Sequence, residues 1–163
     1  MKNGVIVLGI DPGLAHLGYG AITTDGVQSQ LVEYGEVKTE ASEPMAQRLR
    51  RIFDSVCELV ERRRPDYVAI ETLYFAKNTK TAIQVAQARG VALAAVAVEG
   101  AEVREITPLQ IKQALTGYGR AEKRQIQLMV RTVLGLAEIP RPDHAADALA
   151  AAIACAHSLR RLR

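Results

Sequence analysis

Positions 5–10 read Val-Ile-Val-Leu-Gly-Ile with no polar alternation. A strand covered on both faces has this pattern, because neither side of it meets water. Positions 17–23 predict a second strand, Asp25-Gly26 a hairpin turn, and 29–37 a returning third strand. The period then changes. Met45, Leu49, Ile52, Val56, Leu59 and Val60 recur at helical spacing, which predicts a helix over 44–64 with Pro44 in its first turn and Pro65 as its stop. A fourth strand is predicted over 66–71, a long small-residue-rich helix over 79–98, and a fifth strand over 102–106. Thr107-Pro108 is an N-cap followed by a first-turn proline, starting a short helix through 114. A glycine-bearing loop over 116–120 leads to a helix over 121–134, then a two-proline loop. Asp143 is placed to cap a final alanine-rich helix whose end carries Arg160, Arg161 and Arg163, favourable to its dipole.

Three strands with a hairpin followed by alternating helices and strands predict an α/β fold. Its centre is a five-stranded mixed sheet flanked by helices. No repeat, linker or low-complexity segment interrupts the chain, and 163 residues are the size of one domain, so a single domain over 1–163 is expected. The content of 48% hydrophobic and 24% charged residues argues against disorder. Aromatic residues make up 4% with no Trp, so the core is aliphatic. The apolar stretches are expected to fall short of a membrane span, and no signal-like start is present. Cys57 and Cys155 lack metal-ligand spacing and are expected to pack as small hydrophobes in a reducing cytoplasm. The net charge of +3 is compatible with a nucleic-acid partner without singling one out.

Four residues carry candidate chemistry. Asp11 ends the first apolar run ahead of a Pro12-Gly13 turn, and Glu71 ends the apolar run 67–70. His144 and Asp147 stand three apart, on one face of the last helix near its start. That helix is almost wholly apolar thereafter, so its first turn is expected to project into the protein. Read singly, Asp11 suits a turn cap, Glu71 a solvated charge and Asp147 a favourable first-turn charge. Carboxylates at the mouths of buried strands cost desolvation energy unless a cation or hydrogen bonds compensate. Together the four describe a two-metal phosphodiester site. Asp11 is the natural bridging ligand, with Glu71 completing one ion and His144 with Asp147 completing the other.

The segments Gly9 to Gly13, Glu71 to Asn78, Gln87 to Gly90 and Asp143 to Ala150, taken together and in order, closely resemble the RuvC family of bacterial Holliday-junction resolvases. The resemblance covers essentially the whole chain. It implies a ribonuclease H-like fold, a homodimer, and an Mg²⁺- or Mn²⁺-dependent endonuclease with two ions per site. That enzyme nicks two like-polarity strands of a four-way DNA junction symmetrically, in recombination and repair. Asp11, Glu71 and Asp147 match the family's catalytic carboxylates. His144 departs from the carboxylate that many members carry. Imidazole is a softer ligand, so Mn²⁺ is expected to serve relatively better here, and a histidine can also position or deprotonate water.

Tyr74 and Phe75 adjoin Glu71 in an aromatic-poor chain. One is expected to pack, and by resemblance Tyr74 is the one that stacks on an unpaired base. Lys77, Asn78 and Lys80, and further along Lys112, Lys123 and Arg124, are candidate phosphate contacts, or else parts of a solvated face. The apolar arc of 79–98 is wider than one sheet-facing stripe needs, which suits a two-fold interface as well as burial within the monomer. The branch-migration proteins RuvA and RuvB are candidate partners by resemblance. Competing readings are half of a sugar-kinase or actin-like ATPase, a non-catalytic DNA-binding protein, and another ribonuclease H-like nuclease acting on hybrids or ribosomal RNA. The first needs a second phosphate-binding lobe that the chain is too short to hold.

Overall fold

The computed structural model describes residues 4–72 and 79–160. Tyr74, Phe75, Lys77 and Asn78 lie outside these residues, as does the side chain of Lys80. The strands are β1 (Val5–Asp11), β2 (His16–Thr24), β3 (Ser29–Lys38), β4 (Tyr67–Glu71) and β5 (Glu102–Ile106). The helices are α1 (Met45–Arg63), α2 (Thr79–Val98), α3 (Pro108–Thr116), α4 (Lys123–Val133) and α5 (Asp143–Arg160). Order and type agree with the sequence reading at every described element. The five strands form one mixed sheet in the order β3-β2-β1-β4-β5. The pairs β1–β2 and β2–β3 are antiparallel, whereas β1–β4 and β4–β5 are parallel.

β1 is the central strand, with Val7, Leu8 and Ile10 fully buried. Its alternate side chains feed two cores. Leu8 and Ile10 pack with Ile52 and Val56 of α1 and with Ala88, Ala92 and Ala95 of α2. Val7 faces the other way, toward Leu149 and Ile153 of α5 and Ile126 and Val130 of α4. From Ala145 through Ala156, apart from Asp147, α5 is buried, as its composition requires. Burial of this aliphatic surface contributes roughly 25 cal/mol per Å² and is the main force seating the helix.

Helix α5 approaches the sheet closely because three facing positions are glycine. A methyl group at Gly9 would run into the Ala148 carbonyl oxygen, one at Gly18 into that of His144, and one at Gly20 into the Leu149 side chain. The first turn of α5 therefore rests on the backbone of β2. Three boundaries differ from the sequence reading. Pro44 takes the N-cap position of α1 rather than its first turn, with its extended ψ of 141°. The left-handed Arg64 closes that helix before Pro65, its N–H donating to the Val60 carbonyl. Asp143 is the first residue of α5 and not its cap. The Pro142 carbonyl accepts from Ala145 and Ala146, and Asp143 instead pairs with Arg141 at 3.1 Å.

Helix α2 also departs from expectation. Its segment Thr81–Val98 is long and apolar enough to cross a membrane by length and composition, yet only 22% of it is buried. Ala88, Ala92, Ala95 and Val96 face the core, and Arg89 pairs with Glu105 of β5. These contacts make α2 a layer of this fold. Ile83 and Val98 remain exposed on it. Cys155 is buried and Cys57 half-buried, and neither is in a disulfide.

Candidate active site

The site is assembled at one end of the parallel strands. Asp11 is the last residue of β1, where it pairs with Gly18 of β2. Ile10 pairs with Ile70 in the parallel β1–β4 ladder, so Glu71 follows in register beside Asp11. Residues i and i+2 of a strand share a face. Asp11 therefore points to the same side as Val7 and Gly9, toward α5, and Glu71 to the same side as Ala69. The close seat of α5 on Gly18 brings His144 and Asp147 over that edge.

Asp11, His144 and Asp147 each offer a ligand atom, and these atoms all lie within 4.8 Å of one another. The His144 ring nitrogen Nδ1 is 3.0 Å from Asp11 Oδ2. Asp11 thus engages α5 directly and does not spend its carboxylate on the Pro12-Gly13 turn. Glu71 stands outside this tight group but within its electric field. Burial and the charges of Asp11 and Asp147 push its carboxyl up from 4.5 to about 7, against the pull of Lys112 and Lys123. Burial also raises Asp147, partly opposed by a hydrogen bond from Lys123. The bond to Asp11 raises His144, since it favours the imidazolium. Two carboxyls held above their ordinary range beside a third are a site short of positive charge. The donors are hard oxygens with one imidazole, which fits a divalent cation such as Mg²⁺ or Mn²⁺.

Surrounding groups hold this edge in place. The Arg89 guanidinium donates to the Glu71 carbonyl at 3.3 Å, and the Thr72 N–H to the Ile106 carbonyl at 2.9 Å. Buried Arg48 donates to Thr39 Oγ1, which donates to the Leu14 carbonyl at 2.6 Å, fixing the turn after Asp11. Lys123 lies 3.1 Å from Asp147 Oδ2 and 3.7 Å from Asp143. It is part of the carboxylate cluster, and more than a phosphate contact at its margin. Burial pulls the Lys123 ammonium down more than any single partner raises it, but the bond to Asp147 and the charges of Asp147, Asp143 and Asp11 together make the net shift upward. Lys112 is half-buried near enough to act on Glu71, and Arg124 is exposed on α4.

One residue at the site was not legible as a candidate. His16, at the start of β2, stacks on His144 with ring centroids 5.6 Å apart and planes 8° from parallel. Its signal lies in the period of two. His16, Gly18 and Gly20 share a face, so the glycine row that seats α5 ends in a histidine.

A mixed five-stranded sheet with this carboxylate–imidazole cluster at its β1–β4 edge defines a nuclease of the ribonuclease H-like α/β class. Residues 7–157 match the family model described as crossover junction endodeoxyribonuclease RuvC. The RuvC of Treponema denticola is 55% identical over 147 residues, 90% of this chain and 83% of that protein. That of Rubrobacter xylanophilus is 53% identical over 95% of this chain and 87% of its own length. Among solved structures, Thermus thermophilus RuvC superposes with a TM-score of 0.90 at 42% identity, covering 96% of both chains. The same protein in complex with Holliday junction substrate gives 0.92. The chain belongs to the RuvC family and is an endodeoxyribonuclease.

Proposed function

We propose that this protein resolves Holliday junctions, acting as a homodimer that nicks two like-polarity strands at symmetrical positions. The carrying observation is the meeting of Asp11, His144 and Asp147 within 4.8 Å, with Glu71 in register beside them, in a chain of this family. The junction complex of the Thermus protein supports the substrate assignment. Asp11, beside Glu71 in the sheet and bonded to His144, would be the ligand shared by two ions, with Glu71 completing one site and His144 with Asp147 the other. Two Mg²⁺ or Mn²⁺ ions held there would activate a water and offset charge on the departing 3′-oxygen. The chain's own groups orient that site. The bond to Asp11 sets the His144 ring, and Lys123 holds the Asp147 carboxylate.

Lys112 and Lys123, close enough to act on Glu71, and the exposed Arg124 next to Lys123, with Lys77, Asn78 and Lys80, would track phosphates, while Tyr74 would stack on an unpaired base. Such contacts position DNA and make binding salt-sensitive. The exposed apolar side of α2 serves a two-fold interface that sets one active site against each of two symmetry-related strands. RuvA and RuvB are the accompanying branch-migration partners in this reading, and a cytoplasmic location goes with it.

The test is cleavage of a mobile synthetic four-way junction in Mn²⁺ and Mg²⁺, with Asp11→Asn as control. Paired, ligatable nicks that the substitution abolishes are expected. Equal cleavage of linear duplex, or tight junction binding without cleavage in either metal, would overturn the proposal.

A further inference from the structure

We propose that His16 is a positioning residue, whose ring sets the plane of His144 and so aims its nitrogens at the metal site. The inference rests on His144 being a ligand, as proposed above. The stack leaves His144 in contact with a flat surface on one side while its Nδ1 meets Asp11 at 3.0 Å. A histidine side chain turns about two bonds. One hydrogen bond restrains the ring's direction but leaves its tilt free, and a parallel neighbour removes that freedom.

His16 is itself tethered. Its Nδ1 is 3.0 Å from Glu36 Oε2, and Lys38 Nζ is 2.9 Å from the other oxygen of that carboxylate. Strand pairing places these groups together. His16 opposes Lys38 and Gly18 opposes Glu36, so Glu36 is the diagonal neighbour of His16 across the strand pair. Gly18 is also where the backbone of His144 rests. The glycine that faces Glu36 thus brings the His144 backbone down to the sheet two residues from His16. Imidazole ligands elsewhere are oriented by a hydrogen bond at the second nitrogen. Here a ring face adds a second restraint.

The experiment measures Mn²⁺ binding to the metal-free protein by calorimetry, alongside junction affinity and single-turnover cleavage. His16→Ala should weaken Mn²⁺ binding and slow cleavage, each roughly tenfold, the lower end of what outer-shell changes cost. Junction affinity should be unchanged. His16→Phe keeps a flat ring without the Glu36 bond and should recover most of the loss. In a His144→Asp background there is no ring to set, and His16→Ala should then cost nothing. Native-like Mn²⁺ binding by His16→Ala would overturn the proposal. So would a loss as large in His16→Phe, a loss that persists beside His144→Asp, or weakened junction binding with metal affinity intact. If the native protein binds Mn²⁺ but cuts no junction, the function assigned above fails while the metal-binding comparison still decides the role of His16.

Discussion

Replacing Glu71 with Gln should make the metal-free protein more stable as it destroys the nuclease. The Glu71 carboxyl sits at about 7 in the fold against an ordinary 4.5. Between those values the folded chain keeps a proton that the unfolded chain has released, so stability is full below 4.5 and falls as pH rises through 7. At 1.36 kcal/mol for each tenfold change in proton affinity, the ceiling is about 3 kcal/mol. Glu71 is only half-buried, and solvent screening reduces the expected cost to about 1–2 kcal/mol. Gln has nearly the same shape and no charge, and it removes one of the repelling partners of Asp147. Urea unfolding at fixed protein concentration in chelator, from pH 5 to 8.5, measures the difference. The native protein should lose stability across that range, and Glu71→Gln should lose less. The gap should reach about 1–2 kcal/mol at pH 8 and close near pH 5. Mn²⁺ should reverse the order, because only the native site gains a ligand. Equal pH dependence of the two proteins in chelator would refute the reasoning.

Three other substitutions test separate parts of the structure. Gly9→Ala should destabilise by about 3 kcal/mol or more, read as a lowered urea midpoint, because the added methyl meets the Ala148 backbone. Ile83→Glu places a charge on the exposed apolar side of α2 and should raise the dimer dissociation constant at least about tenfold by sedimentation, with the monomer still folded. His144→Asp should lower the ratio of Mn²⁺-supported to Mg²⁺-supported cleavage, since the oxygen ligand is harder than imidazole. An unchanged ratio would show that the imidazole does not select the metal.

The course of the sheet was legible because β1 and α5 lack polar positions along most of their lengths, and only a two-sided covering permits that. Asp11, Glu71, His144 and Asp147 were legible for the same reason, as charges at the ends of buried runs. The pairing of Lys123 with Asp147 was not, because it depends on how α4 is rotated against α5. A basic residue in a loop-helix boundary reads equally well as a solvated charge. His16 escaped notice because its partner lies 128 positions away in the chain and the two rings meet only through the seat at Gly18. The exposed side of α2 was anticipated as an over-wide arc, but its span-like hydropathy was missed, since Arg89 and Gln87 interrupt the run by eye without lowering its average enough.

Because the first turn of α5 lies backbone against backbone on β2, the place of residue 144 does not depend on the side chain it carries. Helix and strand are located by what is missing at Gly9, Gly18 and Gly20. The side chain at 144 can therefore change from imidazole to carboxylate without moving the scaffold beneath it. The fold keeps the address of this proposed ligand separate from its chemical identity. Under the proposed role, metal preference is open to adjustment by a single exchange, whereas any side chain added at the glycines that hold the address meets α5.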